Sequence, residues 1–353
     1  MNPLKNKLVV STVIAGCAAL LGTTNAFAQT TAEEDAEAPV SEECLAFRAD
    51  IDADIGDIMR AGCEPTLAQM AKLMDNPLGS VAMLFTQFDV YKLENPTNGK
   101  EATQGNYMGI FQFPKKLNEK WNLINRVIWN VPSVPLDQNK LDAFDNRFAT
   151  LEGGAVSPPP NLPAPIDLFD GRTEGFGDLY YVGLFAKSKP EDVLNGKLVW
   201  GLGFDLSFPT ASEDVLGTGK YSAGPSAILA YLGPKWKYGG LVTHYWDYSG
   251  DRDRDDVNFT NFQYLYYYSL NPTTSIGAAP NILIDWEQDS DDRVTLPIGM
   301  GINKTINIGK VPVRFGFEAF YSAVQPDNIV GSKWSYRIYI IPAVPSALFK
   351  WMQ

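Results

Sequence analysis

The sequence predicts an all-β fold, a closed antiparallel transmembrane β-barrel of about 12 strands with a short N-terminal helical segment. Three observations predict it. Apolar and polar residues alternate with period two, strand-like runs have the length that crosses a bilayer, and short connections alternate with long ones. A soluble β-sandwich has no reason to alternate its connections, so the barrel is the favoured fold.

The period-two alternation is clearest between residues 311 and 324. One row of this run contains Arg314, Gly316 and Glu318, while the other row is apolar. The apolar row consists of Val311, Val313, Phe315, Phe317, Ala319, Tyr321 and Ala323. A strand carries charges on one face and an unbroken apolar row on the other when water covers the first face and lipid the second.

Twelve strand-like runs follow one another after residue 76. They cover residues 79–91, 105–113, 121–131, 177–187, 197–208, 222–232, 236–248, 258–270, 275–287, 293–304, 311–324 and 334–341. Most have 10 to 14 residues, and a tilted strand needs about 9–11 to cross a bilayer. We therefore assign residues 76–342 to the barrel and leave 343–353 as a C-terminal tail.

The connections between these runs alternate in length. Those after the second, sixth, eighth and tenth runs are tight, whereas those after odd-numbered runs are longer or more charged. With an even strand count, this pattern places both termini on the periplasmic side of an outer-membrane barrel. The longest connection, residues 132–176, contains a proline-rich stretch at 157–165; we expect it either to fold back over the outer mouth or to form a surface loop.

Residues 1–28 have the features of a cleavable secretory signal peptide. Two lysines precede an apolar stretch at 8–21, and Ala-Phe-Ala at 26–28 forms a small-x-small site before Gln29. The alternative is a lipoprotein signal, because Ile-Ala-Gly-Cys at 14–17 fits a lipobox. Either signal predicts export, and for a barrel the destination is the cell outer membrane.

The residues after the signal divide into two parts. Residues 29–40 are acidic and aperiodic, which predicts a disordered lead-in, and 41–75 are predicted to be a periplasmic helical segment. An exported chain with two remaining cysteines, Cys44 and Cys63, favours a disulfide. A continuous helix would hold them roughly 26 Å apart, and a disulfide needs Cα atoms within about 7 Å. The disulfide therefore requires a break, which we expect within residues 52–56.

Charge excludes one class of partner. The formal net charge is −12, and since residues 1–28 hold two lysines and no acid, the mature chain has 27 basic and 41 acidic groups, or −14. Nucleic-acid binding needs a basic surface, so it is not expected. The expected partners are outer-membrane lipid and lipopolysaccharide, the barrel-assembly machinery, and a small-molecule solute. Aromatic residues on the strands are expected to anchor at the membrane interfaces: Trp236, Tyr238, Trp246, Tyr248, Tyr264, Tyr266 and Tyr268.

Nine charged residues project away from the apolar rows and are the candidate lumen-lining residues. They are Arg126, Asp205, Lys237, Asp247, Asp285, Glu287, Arg314, Glu318 and Arg337. They either pair across the lumen and close it or line a water-filled path with paired charges. Glycines such as Gly201 and Gly299 leave inward space, which favours the path.

Catalytic and metal-binding signals are weak. His244 is the only histidine, and no serine stands two residues away on its face, so a lipase is not expected. The acidic loop at 250–256 resembles the start of a calcium loop but has Asp256 where glycine is needed and Phe262 in place of the final glutamate. Solvated loop charge is the favoured interpretation. We expect neither an enzyme, a cofactor nor a bound metal.

Several short segments keep a recognisable order along the chain. They are Asp-Asn-Pro-Leu-Gly at 75–79, Lys-Trp-Asn-Leu-Ile-Asn-Arg at 120–126, Gly-Phe-Gly-Asp at 175–178, Phe-Pro-Thr-Ala at 208–211, Leu-Gly-Thr-Gly-Lys at 216–220, Ser-Ala-Gly-Pro at 222–225, residues 246–251, Asp-Trp-Glu at 285–287, and Pro297. This series resembles an outer-membrane protein family linked by name to the meta-pathway of phenol degradation, which includes bacterial proteins labelled neuromedin U. The resemblance implies a transporter-like barrel.

These observations predict a channel for passive passage of small solutes. By the resemblance alone, hydrophobic or aromatic solutes are candidates. Two other functions stay open at this point: a closed structural or surface-interaction barrel, and a lipid-modifying outer-membrane enzyme.

Overall fold

A computed structural model of the chain describes residues 41–51, 53, 57–58, 61–79, 81–95, 99–138, 169, 171–309, 311–327 and 330–343. The predicted signal peptide, the acidic lead-in, most of the longest connection, most of residues 52–56 and the tail from 344 onwards lie outside the described residues.

The described residues include two α-helices, one short 3-10 helix (Asp214–Leu216) and fifteen strands. The helices are α1 (Glu42–Ala49) and α2 (Leu67–Met74). The strands are β1 (Met83–Glu94), β2 (Glu101–Lys116), β3 (Trp121–Val134), β4 (Thr173–Glu174), β5 (Leu179–Lys187), β6 (Glu191–Val193), β7 (Gly196–Phe208), β8 (Lys220–Leu232), β9 (Trp236–Gly250), β10 (Asn258–Asn271), β11 (Thr274–Ala278), β12 (Asn281–Asp285), β13 (Val294–Ile308), β14 (Val311–Val324) and β15 (Gly331–Pro342). Neither described helix is long and apolar enough to cross a membrane.

The strands form one closed antiparallel barrel. Apart from the short strands β4 and β6 and the pair β11 and β12, each strand pairs with its neighbours along the chain, and β15 pairs with β1 from Thr86↔Ile340 to Glu94↔Gly331, which closes the ring. Each position around the barrel wall is here called a stave, and most staves are single strands. β11 and β12 are two halves of one stave, and β4 and β6 are short additions that pair with β3 and β7. The barrel therefore has 12 staves, which confirms the predicted fold class and strand number.

The exterior of the barrel is apolar and the interior is crowded. Along β13, Ile298, Met300 and Ile302 are 50–60% exposed, although they are large apolar residues. Gly299 and Gly301 alternate with them and face inward. A soluble protein rarely leaves such a row in water, whereas lipid covers it at no cost. The alternation predicted for this region is confirmed.

The two ends of the barrel differ as the sequence predicts. Residues 117–120, 233–235 and 272–273 form short connections at one end, here called the short-turn end, and Gly309 lies in a further turn at this end. The first residue of β1 and the last of β15 lie at this end as well. The opposite end, here called the long-loop end, carries the longer connections.

Within the described residues, the helical segment contains the two separate helices α1 and α2, and residues 57–58 between them are helical as well. A capping box starts α2: Gln69 N donates to Thr66 Oγ1 at 3.2 Å, and Thr66 N donates to Gln69 Oε1 at 2.7 Å. α1 ends at Ala49, so the single continuous helix that would keep Cys44 and Cys63 apart does not form. The segment that follows α2 leads directly into β1, and this brings it to the mouth of the barrel.

Candidate functional site

The lumen face is the set of side chains that alternate with the exposed apolar rows. On β14, Glu318 and Phe320 are buried, while Phe317 and Tyr321, which flank them in the sequence, are exposed. By the same alternation on each strand, eight of the predicted lumen residues face inward. They are Arg126, Asp205, Lys237, Asp247, Asp285, Arg314, Glu318 and Arg337. Glu287 lies beyond the end of β12, in the connection to β13.

An ion cluster lies halfway along the barrel. Arg337 Nε is 2.7 Å from Asp89 Oδ1, and Arg337 Nη1 is 3.7 Å from Glu318 Oε2. The same Nη1 donates to the Ala279 carbonyl oxygen at 2.9 Å, and the Tyr267 hydroxyl donates to Glu318 Oε1 at 2.7 Å. The side chains of Asp89 and Glu318 are only 3% and 1% exposed. One guanidinium thus holds two buried carboxylates on the strands that flank its own.

The segment from residue 65 to 79, here called the mouth segment, lies inside the short-turn end. Leu78 packs in a buried cluster with inward residues of five strands, among them Ile124 and Leu184. Met74 packs in a second buried cluster with Met83 and Tyr339, on strands from another part of the wall. The mouth segment therefore touches both sides of the lumen. Residues 65–75 of this segment belong to the predicted periplasmic helical segment, and residues 76–79 to the predicted barrel.

Asp75 connects the mouth segment to two cations of the wall. Asp75 Oδ2 is 2.5 Å from Lys237 Nζ, and Asp75 Oδ1 is 2.9 Å from Arg314 Nη2. Arg314 also donates to the carbonyl oxygens of Ala71 at 2.8 Å and Met74 at 3.4 Å. Burial lowers the pKa of the nearby Lys72 ammonium, and the positive charge of Lys197 lowers it further.

One wall of the lumen carries buried polar groups. Asp205 is fully buried, and neither of its carboxylate oxygens has a hydrogen-bond partner among the described residues. The same holds for the hydroxyls of Ser222 and Ser226, and for Nε of Arg126. Buried polar atoms of this kind are normally satisfied by ordered water. This wall therefore carries polar groups on its lumen side.

The long-loop end has its own charged group. Lys220 Nζ is 3.8 Å from Asp247 Oδ2 and 3.4 Å from Asp256 Oδ1. Asp247 also accepts from the Val257 backbone N–H at 2.9 Å, and this fixes the start of the following loop. Asp285 accepts from the backbone N–H of residue 287 at 3.1 Å. Among the described residues, no group of three or more potential ligands is placed to hold a metal ion.

The wall has a break where one stave divides into β11 and β12. Pairing with β13 runs to Gly277↔Gly301 and resumes only at Leu283↔Thr295. Within this interval, the Tyr264 hydroxyl donates to the Pro297 carbonyl oxygen at 2.6 Å, and the Tyr266 hydroxyl donates to the Gly299 carbonyl oxygen. Two tyrosines of β10 thus replace missing ladder bonds, a role different from the interface anchoring that the sequence predicts for them.

His244 faces outward on β9. Its Nδ1 is 2.6 Å from Thr260 Oγ1, which also accepts from Trp286 Nε1 at 2.9 Å. Trp246 occupies the position two residues further on the same face, with its ring 4.0 Å from the imidazole. His244 Nε2 has no hydrogen-bond partner within the described chain. The hydroxyl in contact with this imidazole belongs to a threonine, whereas the lipase triad considered for this chain uses a serine.

The predicted interface aromatics on β9 occupy its two ends. Trp236 and Tyr238 lie near the short-turn end and are 57% and 53% exposed. Trp246 and Tyr248 lie near the long-loop end and are 50% and 65% exposed. Two aromatic levels on the outer surface are what a barrel needs where it meets the two membrane interfaces.

Sequence reasoning missed three residues that the structure brings into the lumen. Asp89 completes the central ion cluster. The sequence signal for it is a polar row, because Gln87, Asp89 and Tyr91 lie on the same face of β1. Asp75 was assigned to a helical segment outside the barrel. Tyr267 alternates with the outward tyrosines of β10, and only the period-two rule separates it from them.

Comparison with known proteins gives similarity in structure and none in sequence family. No family model and no curated protein matches the sequence. Among solved structures, the chain is similar to an outer membrane channel from Pseudomonas putida F1, with 15% identity, a TM-score of 0.48, and 76% of this chain and 97% of that chain covered. It is also similar to outer membrane phospholipase A from Escherichia coli, with 10% identity, a TM-score of 0.39, and 79% and 96% covered. A third is the CymD monoaromatic hydrocarbon channel, with 10% identity, a TM-score of 0.33, and 79% and 91% covered.

Proposed function

We propose that this protein is an outer-membrane channel for passive passage of small solutes. The observation that carries the proposal is a ladder of ionised side chains along the lumen face. Lys237 and Arg314 lie at the short-turn end, Asp89 and Arg337 halfway, and Asp247 at the long-loop end. Charged residues at several levels of a barrel interior favour a water-lined path. Such groups bind water and discriminate between solutes by charge.

Liposome swelling tests this proposal. Proteoliposomes placed in an isotonic sugar should swell faster than protein-free liposomes, and the rate should fall as the solute grows. Equal rates for the two preparations, with the barrel shown to be folded by its fast migration on unboiled gels, would favour a closed structural barrel instead.

We further propose that apolar and aromatic solutes are among those that pass. The lumen wall contains a buried apolar cluster around Ile124 and Leu184. Strand pairing is interrupted between Gly277↔Gly301 and Leu283↔Thr295, which leaves a gap in the backbone hydrogen bonds of the wall. Tyr264→Phe and Tyr266→Phe remove the two hydroxyl bridges across the break while keeping the rings. If the break contributes, this double variant should raise the flux of a small aromatic alcohol relative to a sugar of similar size.

The lipid-modifying enzyme is the less favoured alternative. His244 contacts the hydroxyl of Thr260 and the ring of Trp246 on the outer face, and neither is the serine of a lipase triad. Hydrolysis of detergent-dispersed phospholipid that is lost in His244→Ala would revive it.

The location and remaining partners follow from this function as proposals. Export by the signal peptide and insertion by the barrel-assembly machinery would bring the chain to the outer membrane. The exposed apolar rows would then contact lipid, and lipopolysaccharide would surround the long-loop end.

A further inference from the structure

The mouth segment occupies the opening of the barrel at the short-turn end, and is called a stopper below for that position. It enters the short-turn end between walls that lie on opposite sides, with Leu78 buried on one side and Met74 on the other. Ala71 between them is 1% exposed. The segment is joined to β1 through residues 80–82 alone.

One carboxylate ties this stopper to both sides. Lys237 belongs to β9 and Arg314 to β14, and three staves lie between these strands. Asp75 contacts both cations, and the side chains of all three residues are 11% exposed. A carboxylate that bridges two strands so far apart closes a loop of contacts across the lumen. Its removal would leave two nearly buried cations without their shared partner.

Arg314 strengthens the same attachment through the backbone. Its guanidinium donates to the carbonyl oxygens of Ala71 and Met74, the last turn of α2. These carbonyls carry the negative end of the helix dipole and lack partners within the helix, so a guanidinium there binds favourably. The attachment is therefore polar and directional, whereas the contacts of Met74 and Leu78 are apolar and tolerate sliding.

We propose that the mouth segment is a gate for the short-turn end and that the two ion pairs of Asp75 are the latch that keeps it closed. The effect of the gate on solute passage rests on the proposed channel function, because an open gate changes flux only if solutes enter the lumen. The gate opens when both ion pairs break together, and the mouth segment moves into the water beyond the mouth while the barrel stays intact.

Two measurements on the full-length protein test the latch. The first is the rate at which a water-soluble maleimide modifies the peptide containing residue 71 in Ala71→Cys, with and without Asp75→Asn. The second is the single-channel open fraction of Asp75→Asn and of the double variant Lys237→Met with Arg314→Met. Breaking a buried pair costs enough to shift the open population by roughly 100-fold or more. Both the modification rate and the open fraction should therefore rise by at least about tenfold.

Asp192→Asn is the matched control. Asp192 is an acid at the same end with an ion pair to Lys197, but its side chain is 82% exposed. Its removal should change neither measurement, because exposed pairs contribute little.

The outcomes separate the latch from the channel. Faster modification without higher conductance would support the latch and count against the channel function. Unchanged modification in Asp75→Asn would overturn the latch, whatever the conductance. Equal effects of Asp75→Asn and Asp192→Asn would overturn it as well, since any loss of negative charge at this end would then suffice.

Discussion

Replacing Arg337 by methionine should destabilise the barrel strongly. The change removes the one positive charge among the described residues that lies within 4 Å of both Asp89 and Glu318, at 2.7 Å and 3.7 Å. Two carboxylates that are 3% and 1% exposed would remain beside an apolar side chain. Removing one partner of a buried pair costs about 3–5 kcal/mol, because the other charge stays desolvated. The free energy of unfolding in Arg337→Met should fall by that amount, measured by urea unfolding in lipid vesicles.

The same strand offers a matched control. Lys333 is also on β15 and also pairs with an acid of β1, Glu94, at 3.8 Å. Its side chain and that of Glu94 are 50% and 38% exposed, so the pair should contribute about 0–1 kcal/mol. Lys333→Met should therefore change the free energy of unfolding by no more than this. A loss of stability in Arg337→Met no larger than in Lys333→Met would refute the reasoning.

A compensated variant separates charge from packing. Combining Arg337→Met with Asp89→Asn and Glu318→Gln leaves no unpaired ion in the cluster. If desolvated charge causes the loss, this triple variant should recover most of the stability, because neutral replacement of a whole buried cluster is often close to neutral.

Three further outcomes are expected. Gly301→Ala should cost about 1–3 kcal/mol of stability, because an added Cβ would lie 2.1 Å from a carbonyl oxygen of β14, whereas Gly105→Ala, with 3.8 Å to its nearest neighbour, should be neutral in the same unfolding assay. Cys44 and Cys63 should form one intrachain disulfide in periplasmically matured protein; peptide mapping that finds both thiols free would contradict this. Intact mass should place the mature N-terminus at Gln29, and a lipid-modified cysteine at residue 17 would instead indicate a lipoprotein.

The strands of this barrel could be predicted because their signal is local. On β13, Ile298, Met300 and Ile302 alternate with glycines, and lipid on one side is enough to explain the pattern. The direction of each charged side chain follows from the same alternation. For this reason Arg314, Glu318 and Arg337 were predicted to face inward from the sequence alone.

The partners of those charges could not be predicted, because they depend on which strands become neighbours. Glu318 and Arg337 meet since β14 pairs with β15 in a register that sets them opposite each other. Arg337 reaches Asp89 only because the ring closes between β15 and β1. Ring closure joins the two ends of the chain, and no local pattern records it.

Two features were missed for a different reason. The stave that contains β11 and β12 was predicted as one run, because the alternation continues through Ala279 and Pro280 even though the pairing does not. The helical pattern of α2 indicates a helix but not where it lies. Its place in the mouth depends on Asp75, a residue just beyond the periodic part.

The central claim is that solutes and ions pass through the lumen along its charged face. Single-channel recording of the folded wild-type protein in a planar bilayer tests it most directly, with fast migration on an unboiled gel as the control for folding. We expect discrete, brief current steps that grow longer in Asp75→Asn. A flat current from folded protein, in both the wild type and this variant, would contradict the claim.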